Sequence, residues 1–87
     1  MSKNTGLVHA KTYLVVNNRA GAFGIAEFFN DALKTCRREA GSKFKGKQEY
    51  NVIAFTCARD KVKVHADVGL SYDIPEGETA MRFSLTV

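Results

Sequence analysis

Residues 17–41 read NNRAGAFGIAEFFNDALKTCRREAG, a turn signal followed by apolar residues at helical spacing and a terminal glycine. Asparagine and glycine tolerate turn conformations, so residues 17–21 interrupt whatever precedes them. A helix is expected from about Ala22. Its inner face takes Ile25, Phe29, Ala32 or Leu33, Cys36 and Ala40, three and four residues apart, while Glu27, Asp31, Lys34, Arg38 and Glu39 fall largely outside. The acids Glu27 and Asp31 lie in the first half and Lys34, Arg37 and Arg38 in the second, which suits the helix dipole. Gly41 is a suitable stop, since a left-handed terminal residue costs glycine nothing.

Outward from this segment the pattern changes to period two. In LVHAKTYLVV, residues 7–16, Val8, Ala10, Leu14 and Val16 share one face and His9, Lys11 and Tyr13 the other, as in a half-buried strand. Further on, EYNVIAFTC (49–57) and KVKVHADV (61–68) are joined through the short polar stretch ARDK and read as a hairpin. Ile53, Phe55 and Cys57, then Val62, Val64, Ala66 and Val68, form the inward set. Tyr50, Val52, Ala54 and Thr56, then Lys61, Lys63, His65 and Asp67, point outward. AMRFSLTV (80–87) repeats the alternation with Met81, Phe83, Leu85 and Val87 inward and Arg82, Ser84 and Thr86 outward.

These segments predict an α+β fold, β-α-β-β-β, with a mostly antiparallel four-stranded sheet and one helix packed on one face. The second face of such a sheet is commonly polar and wet. Leu7, Val15, Val52 and Ala54 would leave apolar area there, so closure of that face in a symmetric homodimer is the alternative. Strand order stays open.

At 87 residues the chain is expected to form one small globular domain, residues 1–87, burying about 60–65% of its unfolded surface. With 45% hydrophobic and 25% charged residues, it has the make-up of a folded domain rather than a disordered tail. No apolar run approaches the roughly 20 residues of a membrane span, and the first residues, MSKNTGLVHAK, lack the apolar centre of a secretion signal. A cytoplasmic protein with no membrane partner is the expectation. Cys36 and Cys57 are 21 positions apart, with neither the paired spacing nor the adjacent histidine of a metal site, and read as reduced core thiols.

Catalytic signatures are missing from the text. Ser2, Ser42, Ser71 and Ser84 sit in no nucleophile elbow, and Cys36 falls on a buried helix face where a thiol is poorly reactive. Asp73, Glu76 and Glu78 around Pro75 and Gly77 lack the spacing of a calcium loop and read as a solvated turn. The glycines of NNRAGAFG follow neither the dinucleotide-binding nor the lysine-bearing phosphate-loop pattern, which leaves a tight turn. Neither a cofactor, a metal nor an enzymatic activity is expected.

Charge carries more information. The net charge is +4, but residues 34–63 hold nine cations against three acids, a balance of +6, whereas residues 64–87 hold one cation against four acids, −3. A basic region of this kind attracts phosphates or an acidic protein surface. The expected binding residues are Lys11, Tyr13, Lys43, Lys45, Lys47, Tyr50, Arg59, Lys61, Lys63 and His65, with aromatic rings among cations on an open sheet face forming a platform for unstacked bases. The reading is a non-catalytic module that engages nucleic acid through this face and the 42–47 loop. Its alternative is a small inhibitor or modulator of phage or plasmid type, whose basic surface docks on a larger, acidic or nucleic-acid-handling host protein. Ordinary solvated lysines, which keep a sheet edge unpaired, are the plainer explanation of the same residues.

Overall fold

The computed structural model describes residues 10–67 and 69–87. Among them lie strands β1 (Thr12–Asn17) and β2 (Ala22–Ala26), helix α1 (Phe29–Ala40), strand β3 (Glu49–Phe55), the short strands β4 (Lys63–His65) and β5 (Ser71–Asp73), and strand β6 (Ala80–Thr86). The sheet of four has the order β2-β1-β3-β6 and every neighbouring pair is antiparallel. Among the described residues, the α+β class, the four-stranded antiparallel sheet and the single packed α-helix are as the sequence predicts. Two segments sit elsewhere in that plan.

First, Ala22–Ala26 is a strand, not the first turns of the helix. Ala22, Gly24 and Ala26 alternate with Phe23 and Ile25, so the small residues face α1 and the large ones the opposite side. Gly24 permits the close approach: a Cβ there would lie 2.7 Å from the Cys36 nitrogen and 2.9 Å from the Thr35 Cβ. The helix therefore starts only at Phe29, and Phe28 before it is extended, with φ −118° and ψ 141°. It ends where expected, at Ala40, with Gly41 at φ 87° and the Gly41 N–H bonded to the Arg37 carbonyl at 3.2 Å. Since β2 and β3 both run antiparallel to β1, they are parallel to one another, and α1 is the crossover between them.

Second, residues 61–67 do not pair with β3. Strand β3 lies between β1 and β6, in register Val52↔Val15 and Val52↔Phe83, while β4 pairs with β5 in a separate hairpin, Val64↔Tyr72. That hairpin covers the sheet face opposite α1. Leu14, Val16, Ile53, Phe55, Cys57 and Val62 form the core between sheet and hairpin, with Tyr72 set edge-on to Phe55 at 4.9 Å. The Thr12 hydroxyl donates to the Cys57 carbonyl at 2.8 Å and holds the departing chain against this face.

The α1 side holds the second core, Val15, Ala22, Ala32, Cys36, Tyr50 and Val52, with Tyr13 edge-on to Phe29. This reverses the expected polarity of the sheet. Tyr50, Val52 and Ala54, expected outward, are 1%, 0% and 3% exposed, and Tyr50 and Val52 pack with Val15 in the core under the helix. Val15, Val52 and Ala54 thus offer no exposed apolar area of the kind expected of a dimer surface, being buried within the chain itself. Leu7, Val8, His9 and Val68 fall outside the described residues. On β6 only Leu85 is half-buried, while Met81 and Phe83, expected in the core, are exposed. None of the helices among the described residues is long and apolar enough to cross a membrane.

Candidate functional site

The end of α1 delivers Arg37 and Arg38 to the edge of the 41–48 loop. Gly41 reverses the chain, Ser42–Phe44 makes one tight helical turn with the Phe44 N–H on the Gly41 carbonyl at 3.2 Å, and Gly46, at φ 78°, turns it again. Three contacts fasten the loop. The Gln48 amide donates to the Lys45 carbonyl at 3.4 Å, the Asn17 amide donates to the Gln48 side-chain oxygen at 3.4 Å, and the Gln48 and Val87 backbones exchange bonds of 2.8 and 3.1 Å. Asn17 is itself buried, its side-chain oxygen accepting the Arg19 and Ala20 N–H groups at 3.0 and 3.2 Å. The loop is thereby tied to the ends of β1 and β6.

Between loop and helix lies a concavity of about 700 Å³ lined by Arg37, Arg38, Ser42, Phe44, Lys45 and Val87, together with Gly41 and Gly46. Lys43 and Lys47 flank Lys45 along the loop, all three exposed. Arg37 is oriented by Tyr50: its Nε–H donates to the phenol oxygen at 3.3 Å and its guanidinium carbon stands 5.8 Å from the ring centroid. The only ion pair among the described residues is His65–Asp73, at 2.8 Å, so none of these five cations is matched by a carboxylate contact. A positive surface of this form attracts phosphates.

The remaining expected residues are dispersed. Tyr50 is buried with only its hydroxyl in use, and Tyr13 is half-buried against Phe29, so neither ring lies open for stacking among lysines. Arg59 and Lys61 occupy a short helical turn at 59–61; Arg59 lines a shallow depression with Thr35 and Glu39 outside β2. Lys63 and His65 belong to β4, in the layer on the other side of the sheet from α1, and His65 is engaged by Asp73. Lys11 is exposed just before β1, its N–H bonded to the Phe55 carbonyl at 2.8 Å. The basic residues thus share no one face: Lys43, Lys45 and Lys47 lie on the loop, Lys63 and His65 on the hairpin, and Lys11, Arg59 and Lys61 on neither.

Arg37, Arg38 and Phe44 were absent from the expected site. The signal for the arginines was present, since they are the last turn before Gly41 and must emerge beside the loop lysines; for Phe44 no pattern distinguished a loop aromatic from a core one.

Both cysteines are buried and unpaired. Burial pushes the Cys36 thiol above its usual pKa, offset in part by a backbone hydrogen bond from Asn17 and by Arg37. The Cys57 thiol is likewise raised by burial, with Glu78 and Asp60 adding to the effect. Thiols so placed are weaker nucleophiles at neutral pH. No group of three or more His, Cys, Asp or Glu suited to a metal occurs among the described residues. The chain matches no protein-family model, no curated protein and no solved structure.

Proposed function

We propose that the chain is a non-catalytic binding module whose concavity at the C-terminal end of α1 takes the phosphates of a nucleic acid. The observation that carries this reading is that Arg37, Arg38 and Lys45 line the concavity, with Lys43 and Lys47 exposed on either side of Lys45 in the loop, and that none of the five has an ion-pair partner among the described residues. The two arginines offset the partial negative charge of the helix end, which leaves the loop lysines to set the local field. Phe44, half-buried in the same lining, takes the stacking role that Tyr13 and Tyr50 cannot fill. Two buried, unpaired cysteines suit a reducing compartment, so the cytoplasm is the proposed setting.

Titration of oligonucleotide affinity against salt tests the proposal. Changing Lys43, Lys45 and Lys47 together to alanine should lower the slope of log affinity against log salt by about 2, at about 0.7 per phosphate contact on a single strand. Phe44→Ala should weaken binding by roughly 1–3 kcal/mol with the slope unchanged, because stacking releases no ions. Lys61→Ala with Lys63→Ala, neither of which lines the concavity, should leave the slope as it was. An absence of salt-dependent affinity for DNA or RNA at low salt defeats the nucleic-acid reading. If a stoichiometric complex with an acidic protein then depends on the same lysines, the chain is instead a small modulator of that protein.

A further inference from the structure

The two edges of the sheet differ. Strand β2 is five residues long and is flanked by Arg59 and Glu39 across a shallow depression. Strand β6 runs for seven residues, contains neither proline nor lysine, and carries one charge, Arg82. Free edges are usually blunted by charge, proline or short length, because their unpaired backbone groups recruit further strands. β6 lacks the proline and the short length, and Arg82 is its one charge.

Its backbone polarity follows from the bonds at its two ends. Gln48 and Val87 exchange both bonds, and the Thr56 N–H reaches the Thr79 carbonyl at 3.1 Å, so positions 81, 83 and 85 direct their N–H and C=O groups at β3. Ala80, Arg82, Ser84 and Thr86 direct theirs at the side on which no strand lies among the described residues. Met81 and Phe83 stand 42% and 36% exposed on the α1 face, beyond the reach of a helix that packs mainly over β1 and β2.

We propose that two copies of the chain join through β6, antiparallel about a two-fold axis at Phe83, into one continuous eight-stranded sheet. Phe83 is the midpoint of the strand, so all seven residues find partners. Ala80 and Thr86, and Arg82 and Ser84, form the hydrogen-bonded pairs. Phe83 meets its own copy and Met81 meets Leu85 on the α1 face, where side chains of non-hydrogen-bonded pairs approach most closely. Moving the axis to Arg82 would set two guanidinium groups opposite each other, which like charges disfavour. The ends also match. Lys45 and Lys47 adjoin the Val87 end through Gln48, whereas Glu76 and Glu78 precede the Ala80 end, so the antiparallel arrangement places the basic end of each copy beside the acidic end of the other. That complementarity favours a second copy over an unrelated peptide strand. The inference is independent of what the basic concavity binds.

Analytical ultracentrifugation over a range of protein concentrations tests it. The unmodified chain should show a monomer–dimer equilibrium. Ser84→Pro removes an N–H that faces the open edge and none that faces β3, so the fold should persist while self-association weakens roughly tenfold or more, as expected for hydrogen bonds lost at two symmetry-related places. Phe83→Cys places two thiols across the axis, where Cα atoms of such a pair lie about 4.5 Å apart, and should give a disulfide-linked dimer on mild oxidation that Arg82→Cys does not give. This second variant decides the matter if Ser84→Pro proves unstable. A monomer at every concentration, a dimer indifferent to Ser84→Pro, or failure of Phe83→Cys to cross-link overturns the proposal. A monomer that nevertheless binds an extended peptide along β6 would assign the edge to a different occupant.

Discussion

Gly24 shows how one residue positions a whole layer. Backbone and side-chain atoms of Thr35 and Cys36 occupy the space a Cβ would need, and those atoms belong to the helix itself, which cannot yield without lifting from the sheet. Gly24→Ala should therefore destabilise the fold by about 1–3 kcal/mol, read as a lower urea midpoint at unchanged slope. The residue was legible as part of a period-two run of small and large side chains, Ala22 to Ala26, but the four-residue spacing of Ile25 and Phe29 pointed with equal force to a helix. The strand prevails because the small side chains on one face give α1 a seat that no helical reading of the segment supplies. Cys36 makes a second argument at this scale. Its pKa is raised in the folded chain, so the native state keeps a proton that the unfolded chain gives up, and the associated stability is complete below the ordinary thiol range and declines as pH climbs through it. Denaturation midpoints should fall above about pH 8.5, and Cys36→Ala should remove part of that fall while Cys57 retains its own share.

At the scale of elements, the β4–β5 hairpin is the part that the sequence misplaced. Of the inward set expected in KVKVHADV, Val62 and Val64 do turn inward while Ala66 is exposed, and neighbouring strands in sequence are so often neighbours in space that β3 was assigned as the partner. The chain instead crosses beneath the sheet after Phe55, and a three-residue strand such as β5 is too short to announce itself through periodicity. Tyr72 is what secures the hairpin. Its ring meets Phe55 edge-on, and Tyr72→Ala should cost about 2 kcal/mol in thermal or urea unfolding, less than a fully buried aromatic because the ring is half-buried. The His65–Asp73 pair on the same hairpin is exposed, and His65→Ala should stay within about 0.5 kcal/mol.

In the whole molecule, one sheet separates two cores. Apolar periodicity pointed to the sheet and the helix, and the apolar character of Val15, Val52 and Ala54 was the sign that both faces are covered; it was read as a dimer surface because a single sequence does not say which cover, intramolecular or intermolecular, is used. The distinction is measurable. Val52→Lys, which a sheet with a free second face would accommodate, should abolish the cooperative transition in circular dichroism, as an unpaired ammonium under the helix has no partner. The basic region was equally visible as charge, whereas the separation of the loop lysines from Lys63 and His65 depended on the crossing after Phe55. The alternating backbone of β6 has a final consequence for isotope exchange. Amides of Met81, Phe83 and Leu85 are bonded within the fold and should exchange slowly at any dilution, while those of Arg82, Ser84 and Thr86 should exchange at nearly the rate of free peptide in dilute solution. If two copies share the edge, the fast set should slow as protein concentration rises, and every second residue of one strand becomes a gauge of assembly.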